Sequence, residues 1–194
     1  MNTKTIFYLT RHGQTQWNVE SRIQGQLDSP LTEKGKQQAV SLASSCESLG
    51  LTNILTSPLG RAFETAKICA ACLSLDVQQI KGLEERNFGI WQGKLTAEMA
   101  LDDDYDEICS LVTDCQPKQG ESAKQVLMRF EAVLRKELKR LPNDVPLIVI
   151  HGEVLRCFMS QLAGANPKAT GYDYKNGQLI ALCYDQKTDV FSRL

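Results

Sequence analysis

The sequence predicts an α/β protein, a three-layer α/β/α sandwich in which helices cover both faces of a mostly parallel central sheet. Short apolar runs alternate with longer amphipathic segments along the chain, which is the element order of a parallel sheet. The run at 147–150 is apolar at every position, as expected of a strand covered on both faces. No repeat, low-complexity segment or linker interrupts this alternation, so we expect one domain over residues 1–194.

Cap and turn residues divide the first half of the chain into its elements. Thr32 suits a helix N-cap, and Gly50 ends the amphipathic run that follows it. Ser57 and Pro58 interrupt the chain before a second helix. The predicted elements are a strand over 5–10, a helix over 32–49, a buried strand over 54–56, a helix over 58–73 and a short strand over 77–80.

The second half begins with an insertion over 95–120, for which short helices up to residue 111 are predicted. Ser122 then begins a long amphipathic helix whose apolar positions recur at helical spacing as far as Leu141. The remaining predicted elements are a strand over 147–150, a helix from Glu153 to about Leu162 that ends at Gly164, and a last strand over 179–184.

The bulk composition excludes several classes of protein. The formal net charge of −1 argues against a general nucleic-acid binder. No apolar run approaches the ~18 residues of a membrane span, and the first residues enter a strand without the basic region of a signal peptide. The seven cysteines are odd in number and lie mostly within predicted helices and strands, unlike a disulfide framework. These properties predict a cytoplasmic protein that binds neither nucleic acid nor membrane.

Each of the two histidines in the chain stands at the exit of a predicted strand. Arg11 and His12 follow the first strand, and His151 and Gly152 follow the strand at 147–150. Ligands of open α/β sheets bind outside the carboxyl ends of the strands. We therefore expect one site that holds an anion and carries out nucleophilic chemistry on it.

The motifs around these histidines resemble those of the histidine phosphatase (phosphoglycerate mutase-like) superfamily. Arg11-His12-Gly13 with Asn18 is similar to the family signature, and further matches follow in order along most of the chain. They are the segments 22–25, 30–35, 57–61 and 83–89, and His151-Gly152. The resemblance implies the three-layer fold and is to the short-chain phosphatase branch, which includes α-ribazole phosphatase and phosphoglycerate mutase homologues.

His12 is the candidate nucleophile, because a neutral imidazole can accept a phosphoryl group and divide one hard displacement into two easier steps. The attacking nitrogen must be unprotonated, so we expect the other ring nitrogen to donate to a backbone carbonyl. Arg11 and Arg61 are the candidate phosphate clamps, since a guanidinium binds two phosphate oxygens at once. Arg61 falls in the first turn of its helix, where a cation is unfavourable unless an anion lies nearby.

Five further residues complete the predicted phosphate site. We expect His151 to donate to a phosphoryl oxygen and Gly152 to let the backbone approach the anion. Asn18 is a candidate amide donor to the same oxygens. The resemblance also implies that Gln24 and Gly25 belong to a loop that reaches the substrate.

The resemblance implies that Glu85 is the acid that protonates the leaving oxygen. Leu83, Glu85 and Gly89 fit the family pattern, and the neighbouring Glu84 is the alternative. The acid must hold its proton until the leaving oxygen departs, so partial burial should raise its pKa.

No metal and no organic cofactor are expected. Two histidines raise the idea of a metal site, but no carboxylate stands near either of them at ligand spacing, and Arg11 repels cations. The arginines and histidines supply the charge that phosphoryl transfer needs. Only a mutase would use 2,3-bisphosphoglycerate.

The predicted reaction is hydrolysis of a small phosphomonoester, with a phosphoglycerate mutase as the alternative. The mutases of the superfamily usually carry a longer insertion with two adjacent arginines for the substrate carboxylate. Here no arginine occurs between Arg86 and Arg129. A non-catalytic phosphate-binding module on the same fold is a third hypothesis, although every expected catalytic position is filled.

Three features are left open by the sequence. The acidic segment from Glu98 to Glu107 is either a solvated helix face or a lid that disfavours highly anionic substrates. Arg156 either braces the helix after His151 or touches the substrate. A homodimer is one of the oligomeric states that the sequence allows.

Overall fold

A computed structural model describes residues 4–162 and 171–194. One six-stranded sheet runs through the molecule in the order β3-β2-β4-β1-β5-β6. Its strands are β1 (Lys4–Arg11), β2 (Asn53–Thr56), β3 (Val77–Gln79), β4 (Pro146–Ile150), β5 (Leu179–Asp185) and β6 (Val190–Arg193). The first four strands are mutually parallel, whereas β5 and β6 are antiparallel to their neighbours. This arrangement confirms the predicted mostly parallel sheet and adds β6, an edge strand that the sequence analysis did not predict.

Helices cover both faces of this sheet, as predicted. They are α1 (Gln16–Val19), α2 (Glu33–Cys46), α3 (Gly60–Leu73), α4 (Thr96–Met99), α5 (Tyr105–Ser110), α6 (Ala123–Arg140) and α7 (Gly152–Met159). Helix α2 ends at Cys46, because residues 47–50 form a turn in which Gly50 adopts a φ of 66°. Gly164, the predicted end of the last helix, lies outside the described residues.

The core has two layers, one on each face of the sheet, and a third, smaller cluster formed by Ile23, Phe88, Trp91 and Ile108. Leu147 and Val149 of β4 pack with α2 and α3, while Ile148 and Ile150 pack with α6 and α7. This alternation follows from the two-residue period of a strand and explains why β4 is apolar at every position. No helix within residues 4–162 and 171–194 is long and apolar enough to cross a bilayer.

The sheet register brings the exits of β1 and β4 together. Arg11 at the end of β1 pairs with Ile150 at the end of β4. The next amide, that of His12, donates to the Ile150 carbonyl over 3.0 Å. Parallel pairing of two adjacent strands therefore places the residues that follow them, His12 and His151, side by side.

Candidate active site

The two imidazole rings face each other at the carboxyl end of the sheet. The ring centroids of His12 and His151 are 5.2 Å apart, and the ring planes are tilted by 57°. Both side chains are buried, with exposed fractions of 2% and 0%. Two residues far apart in sequence thus belong to one site, as the strand-exit argument predicts.

Hydrogen bonds fix the proton of His12 on one ring nitrogen. Nδ1 lies 2.7 Å from the carbonyl oxygen of Gly13, and a carbonyl only accepts, so Nδ1 carries the proton. Nε2 accepts from Nε of Arg61 over 3.2 Å. The unprotonated nitrogen therefore lies beside the guanidinium, where a phosphoryl group bound by Arg61 would come within its reach.

The surroundings of His12 also keep the ring neutral. Burial lowers the pKa of His12 well below its usual value, and the positive charges of Arg61 and Arg11 lower it further. A neutral imidazole is the form that attacks phosphorus, because protonation would remove the lone pair.

Arg61 is anchored on three sides in the first turn of α3. Its Nη1 donates to the Leu27 carbonyl and to the Asp28 carboxylate over 2.8 and 3.1 Å, and its Nη2 donates to the Gly25 carbonyl over 2.7 Å. These contacts hold the guanidinium beside His12 with 2% of the residue exposed. Asp28 offsets part of the unfavourable interaction between this cation and the helix N-terminus.

Arg11 approaches the site from the other side. Its Nη1 donates to the carbonyls of Gly171 and Tyr174 over 3.2 and 2.9 Å. A Cβ added at Gly152 would lie 3.4 Å from Cζ of Arg11 and 2.6 Å from the carbonyl oxygen of Gly171. Only glycine fits at position 152, since a Cβ there would overlap backbone.

His151 differs from His12 in its hydrogen bonding. Neither of its ring nitrogens has a partner among the described residues, although both are buried. Burial lowers its pKa well below the usual value, and the charges of Arg61, His12 and Arg11 add to this effect. A buried imidazole without partners is costly, and an oxygen of a bound phosphoryl group would supply the missing acceptor.

Glu85 and Glu84 have different environments. Glu85 is 8% exposed and lines the same cavity as His12. Its Oε1 accepts from the amides of Arg86 and Val154 over 2.8 and 3.3 Å, and its Oε2 accepts from the amide of Glu153 over 3.3 Å. Glu84 instead accepts from the amide of Gly82 over 2.6 Å. The geometry therefore favours Glu85 over Glu84 as the residue that meets a substrate.

Burial raises the pKa of Glu85, and the neighbouring Glu153 carboxylate raises it further. The amides of Arg86 and Glu153 and the charge of Arg61 act in the opposite direction, but the net effect is upward. A raised pKa keeps a carboxyl protonated at higher pH, which a proton donor to a leaving oxygen needs.

The remaining predicted residues also line this cavity. The Oδ1 of Asn18 accepts from the Thr15 amide over 3.1 Å, which leaves its amide nitrogen as the donor for a ligand. The Oε1 of Gln24 is buried and has no partner in the described part of the chain. Gly25 adopts a φ of 54° and directs its carbonyl at Arg61. All the predicted site residues except His151 line the cavity directly, and the ring of His151 lies next to that of His12.

The cavity has a volume of about 170 Å³ and two kinds of wall. Arg11 and Arg61 form a cationic end beside the neutral His12, and Arg22 also lines the cavity. The insertion contributes four lining residues from α5: Tyr105, Asp106, Cys109 and Ser110. None of these four is a cation, so the insertion offers no positive charge to a substrate.

The sequence analysis missed several residues that hold the site in place. Asn176 donates to the carbonyl of His12 over 2.8 Å, and the Thr65 hydroxyl accepts from the amide of Gly13 over 3.0 Å. Arg129 donates to the Glu84 and Glu85 carbonyls over 3.0 and 3.5 Å. These contacts span more than 40 residues of sequence, so no local pattern reveals them.

Glu153 was missed as well, although it had a local signal. It follows His151-Gly152 directly and stands three residues before Arg156, the spacing of an ion pair on a helix. The structure shows that pair, with Nε of Arg156 donating to the Glu153 carboxylate over 2.9 Å. The open question about Arg156 is thereby answered in favour of bracing.

No group of three or more histidine, cysteine, aspartate or glutamate side chains is arranged to hold a metal ion within the described ranges. The seven cysteines are all free thiols. Burial raises the pKa of Cys109, which lines the cavity, to about 12, so this thiol is not a second nucleophile.

The chain belongs to the histidine phosphatase superfamily (branch 1), whose family model matches residues 7–194. Members of this superfamily are phosphatases or mutases that act through a phosphohistidine intermediate. The fold and the paired histidines described above agree with this membership.

Individual relatives include both kinds of enzyme. The chain is 40% identical to a Cronobacter sakazakii protein named "Probable phosphoglycerate mutase GpmB", over 81% of this chain and 74% of that protein. It is 33% identical to the solved structure of Bacillus stearothermophilus YhfR, with a TM-score of 0.85 and coverage of 97% and 95% of the two chains. It is 30% identical to a mycobacterial glucosyl-3-phosphoglycerate phosphatase solved with VO3, with a TM-score of 0.79 and coverage of 92% of each chain.

Proposed function

We propose that this protein hydrolyses a small phosphomonoester through a phosphohistidine formed on Nε2 of His12. One observation carries the proposal: Nε2 is unprotonated, lies against the Arg61 guanidinium and shares a cavity with the buried carboxyl group of Glu85. Nucleophile, charge stabiliser and acid are the three parts that phosphoryl transfer needs.

In the first step, Nε2 of His12 forms a bond to phosphorus while the ester P–O bond breaks. The departing oxygen takes the proton of Glu85 and leaves as an alcohol. Arg11, Arg61 and the amide of Asn18 stabilise the equatorial oxygens as negative charge shifts among them. His151 donates to one of those oxygens through the ring nitrogen that carries its proton.

In the second step, water attacks the phosphohistidine. The Glu85 carboxylate, now unprotonated, takes a proton from that water as the new P–O bond forms and the N–P bond breaks. Inorganic phosphate leaves, and His12 and Glu85 return to their starting protonation states. Glu85 therefore acts first as acid and then as base.

The second candidate function is a phosphoglycerate mutase, which the naming of the Cronobacter sakazakii relative favours. A mutase must bind the carboxylate of phosphoglycerate and keep water from the phosphohistidine. The lining residues from the insertion are uncharged or acidic, which supports hydrolysis of an ester without such a carboxylate.

We propose that hydrolysis needs neither a metal nor 2,3-bisphosphoglycerate. The substrate itself supplies the phosphoryl group of the intermediate, and the arginines supply the positive charge. Activity in the presence of a chelator should therefore equal activity without it. The free thiols support the further proposal of a cytoplasmic location.

The experiment that tests this function is phosphate release from a panel of phosphomonoesters at mildly acidic and neutral pH. The panel includes 3-phosphoglycerate with and without 2,3-bisphosphoglycerate, and His12→Ala is measured beside the wild type. We expect release that falls by about 10⁴-fold or more in His12→Ala, whose circular dichroism spectrum should match that of the wild type.

Three outcomes would contradict the proposal in different ways. Normal turnover by His12→Ala would remove the nucleophile assignment. Interconversion of 3- and 2-phosphoglycerate without net phosphate release would establish the mutase. Binding of phosphate without turnover of any ester would identify a binding module.

A further inference from the structure

We infer that Glu153 is a positioning residue for the acid Glu85, and that its ion pairs with Arg86 and Arg156 fix both the acid and the insertion wall of the cavity. This inference rests on the proposed function, in which Glu85 is the proton donor. Glu153 itself does not transfer a proton in this scheme, because two guanidinium groups hold its carboxylate.

The bracket formed by Arg86, Glu153 and Arg156 is buried and closely paired. Nη1 of Arg86 donates to Oε2 of Glu153 over 3.3 Å. Arg156 donates to both carboxylate oxygens, from Nε and Nη2, over 2.9 Å each. The exposed fractions of the three residues are 0%, 8% and 1%, respectively. A carboxylate at this depth needs such partners, because an unpaired buried charge is strongly unfavourable.

The backbone of the bracket holds the carboxyl group of Glu85. The amide of Arg86 donates to Oε1, and the amide of Glu153 donates to Oε2. The side-chain ion pair between the same two residues ties these two donors to each other. The ion pair between Arg86 and Glu153 therefore helps to fix the position of the Glu85 carboxyl, although Glu85 takes no part in that pair.

The arginines of the bracket also hold the insertion. Arg86 donates to the carbonyls of Ile108 and Cys115 over 2.6 and 3.3 Å, and Arg156 donates to the carbonyl of Leu111 over 3.3 Å. These carbonyls lie at the end of α5 and in the segment after it, and α5 contributes the insertion's wall of the cavity. One carboxylate thus orients two arginines that brace this wall from inside.

Several charged groups face Glu85, and they determine the sign of the expected effect. Glu153 from α7 and Arg61 from α3 act on its carboxyl directly. Arg86 follows it in the chain, Arg129 from α6 donates to its backbone carbonyl, and Arg156 from α7 pairs with Glu153. The Glu153 charge raises the pKa of Glu85, and the Arg61 charge lowers it. Replacing Glu153 by glutamine removes a negative neighbour and leaves two arginines unpaired, and both changes lower the pKa of Glu85.

The test is Glu153→Gln, which preserves shape and removes the charge. The readout is the ratio of kcat/KM for an alkyl phosphate, which needs the acid, to kcat/KM for an aryl phosphate, which needs it little. This ratio does not depend on how much of the variant is folded. We expect the alkyl-to-aryl ratio of kcat/KM to fall by about 10- to 100-fold at neutral pH. We also expect the alkaline limb of the pH profile of kcat/KM for the alkyl phosphate to move to lower pH.

The matched control is Glu131→Gln on α6. Glu131 also pairs with an arginine, Arg135, over 3.3 Å, but it does not line the cavity. We expect its ratio to stay within about twofold of the wild type. Glu153→Asp, which restores the charge, should return the alkaline limb toward its wild-type position.

An unchanged ratio and an unmoved alkaline limb in Glu153→Gln would overturn the inference, even if the variant is less stable. That result leaves the proposed function intact, provided that phosphate release still depends on His12. Release that does not depend on His12 would instead overturn the proposed function, and the inference with it.

Discussion

The exits of β1 and β4 are adjacent in the sheet, but their two histidines differ in hydrogen bonding among the described residues. At the β1 exit, both ring nitrogens of His12 have partners, and the backbone of that loop is held by Thr65 and Asn176. At the β4 exit, neither nitrogen of His151 has a partner within the described residues. Within the described part of the chain, the hydrogen bonding of His12 is complete, whereas that of His151 leaves both ring nitrogens available to a ligand.

This difference matches the role that the proposed mechanism gives to each histidine. A nucleophile must present one lone pair in one direction, so its tautomer and orientation are set in advance. A donor to a phosphoryl oxygen must instead leave a hydrogen-bonding position for the ligand. A buried polar group without a partner costs about 1–3 kcal/mol, and binding of a phosphoryl group at the β4 exit would recover part of that cost.

After loss of the nucleophile itself, the largest effect should come from Glu85, which the amides of α7 hold at the β4 exit. We expect Glu85→Gln to lower kcat/KM for alkyl phosphates by about 10²- to 10⁴-fold, the usual contribution of a general acid. An aryl phosphate should be slowed far less, because its leaving oxygen is a weak base. The measurement is a plot of log kcat/KM against leaving-group pKa for the two proteins.

A steeper dependence on leaving-group pKa in Glu85→Gln would support the acid role. Parallel lines for the two proteins would show that another residue donates the proton. Glu84→Gln is the appropriate control, since Glu84 accepts from the amide of Gly82 instead of lining the cavity.

A smaller effect is expected from His151→Asn, because the shorter asparagine side chain draws its donor back from the phosphoryl oxygen at the β4 exit. We expect kcat to fall by about 10²-fold, within the range for loss of one donor to a developing negative charge. Inhibition by vanadate should weaken in parallel, because vanadate imitates the phosphoryl group in transfer. Loss of activity equal to that of His12→Ala would abolish the distinction between the two exits.

The pH dependence provides a test of both exits without mutation. Burial and the neighbouring arginines lower the pKa of His12, and burial raises that of Glu85. The nucleophile therefore stays neutral as the pH falls through 6.5, while the acid is lost as the pH rises through its raised pKa. Alkyl-phosphate hydrolysis should be favoured by mildly acidic pH.

The aryl-phosphate profile separates the two groups. Because aryl esters need little proton donation, their kcat/KM should stay level on the alkaline side. The profiles must be corrected for the second ionisation of the substrate, near pH 6. A fall in aryl-phosphate activity as the pH drops from 7 to 6.5 would show that His12 is protonated at its usual pKa.

The sequence predicts where the two strands end and which histidines follow them, but not how those histidines differ in hydrogen bonding. Apolar runs that end in Arg11-His12 and in His151-Gly152 place both histidines at one edge of the sheet, and the resemblance assigns the surrounding motifs. The lack of partners for the His151 nitrogens depends on how the described segments around it pack together, which no local sequence pattern encodes. The pairing of Arg86 with Glu153 spans 67 residues and is equally hidden. Strand β6 was missed because only Phe191 of its four residues is buried.

The smallest effect should arise from Asp106, on the wall of the cavity that belongs to neither exit. This carboxylate is exposed and lines the cavity, so it repels a second negative charge on the substrate through solvent. We expect Asp106→Asn to raise kcat/KM for 3-phosphoglycerate relative to glycerol 3-phosphate by about two- to fivefold at low ionic strength, as is typical of exposed charges. The gain should largely disappear at 0.5 M salt, where charges are screened beyond a few ångströms.

Asp103→Asn is the matched control, because Asp103 is exposed in the same acidic segment but does not line the cavity. Equal gains from both variants would mean that the acidic segment acts through its overall field, and selectivity would then not be a property of the cavity wall.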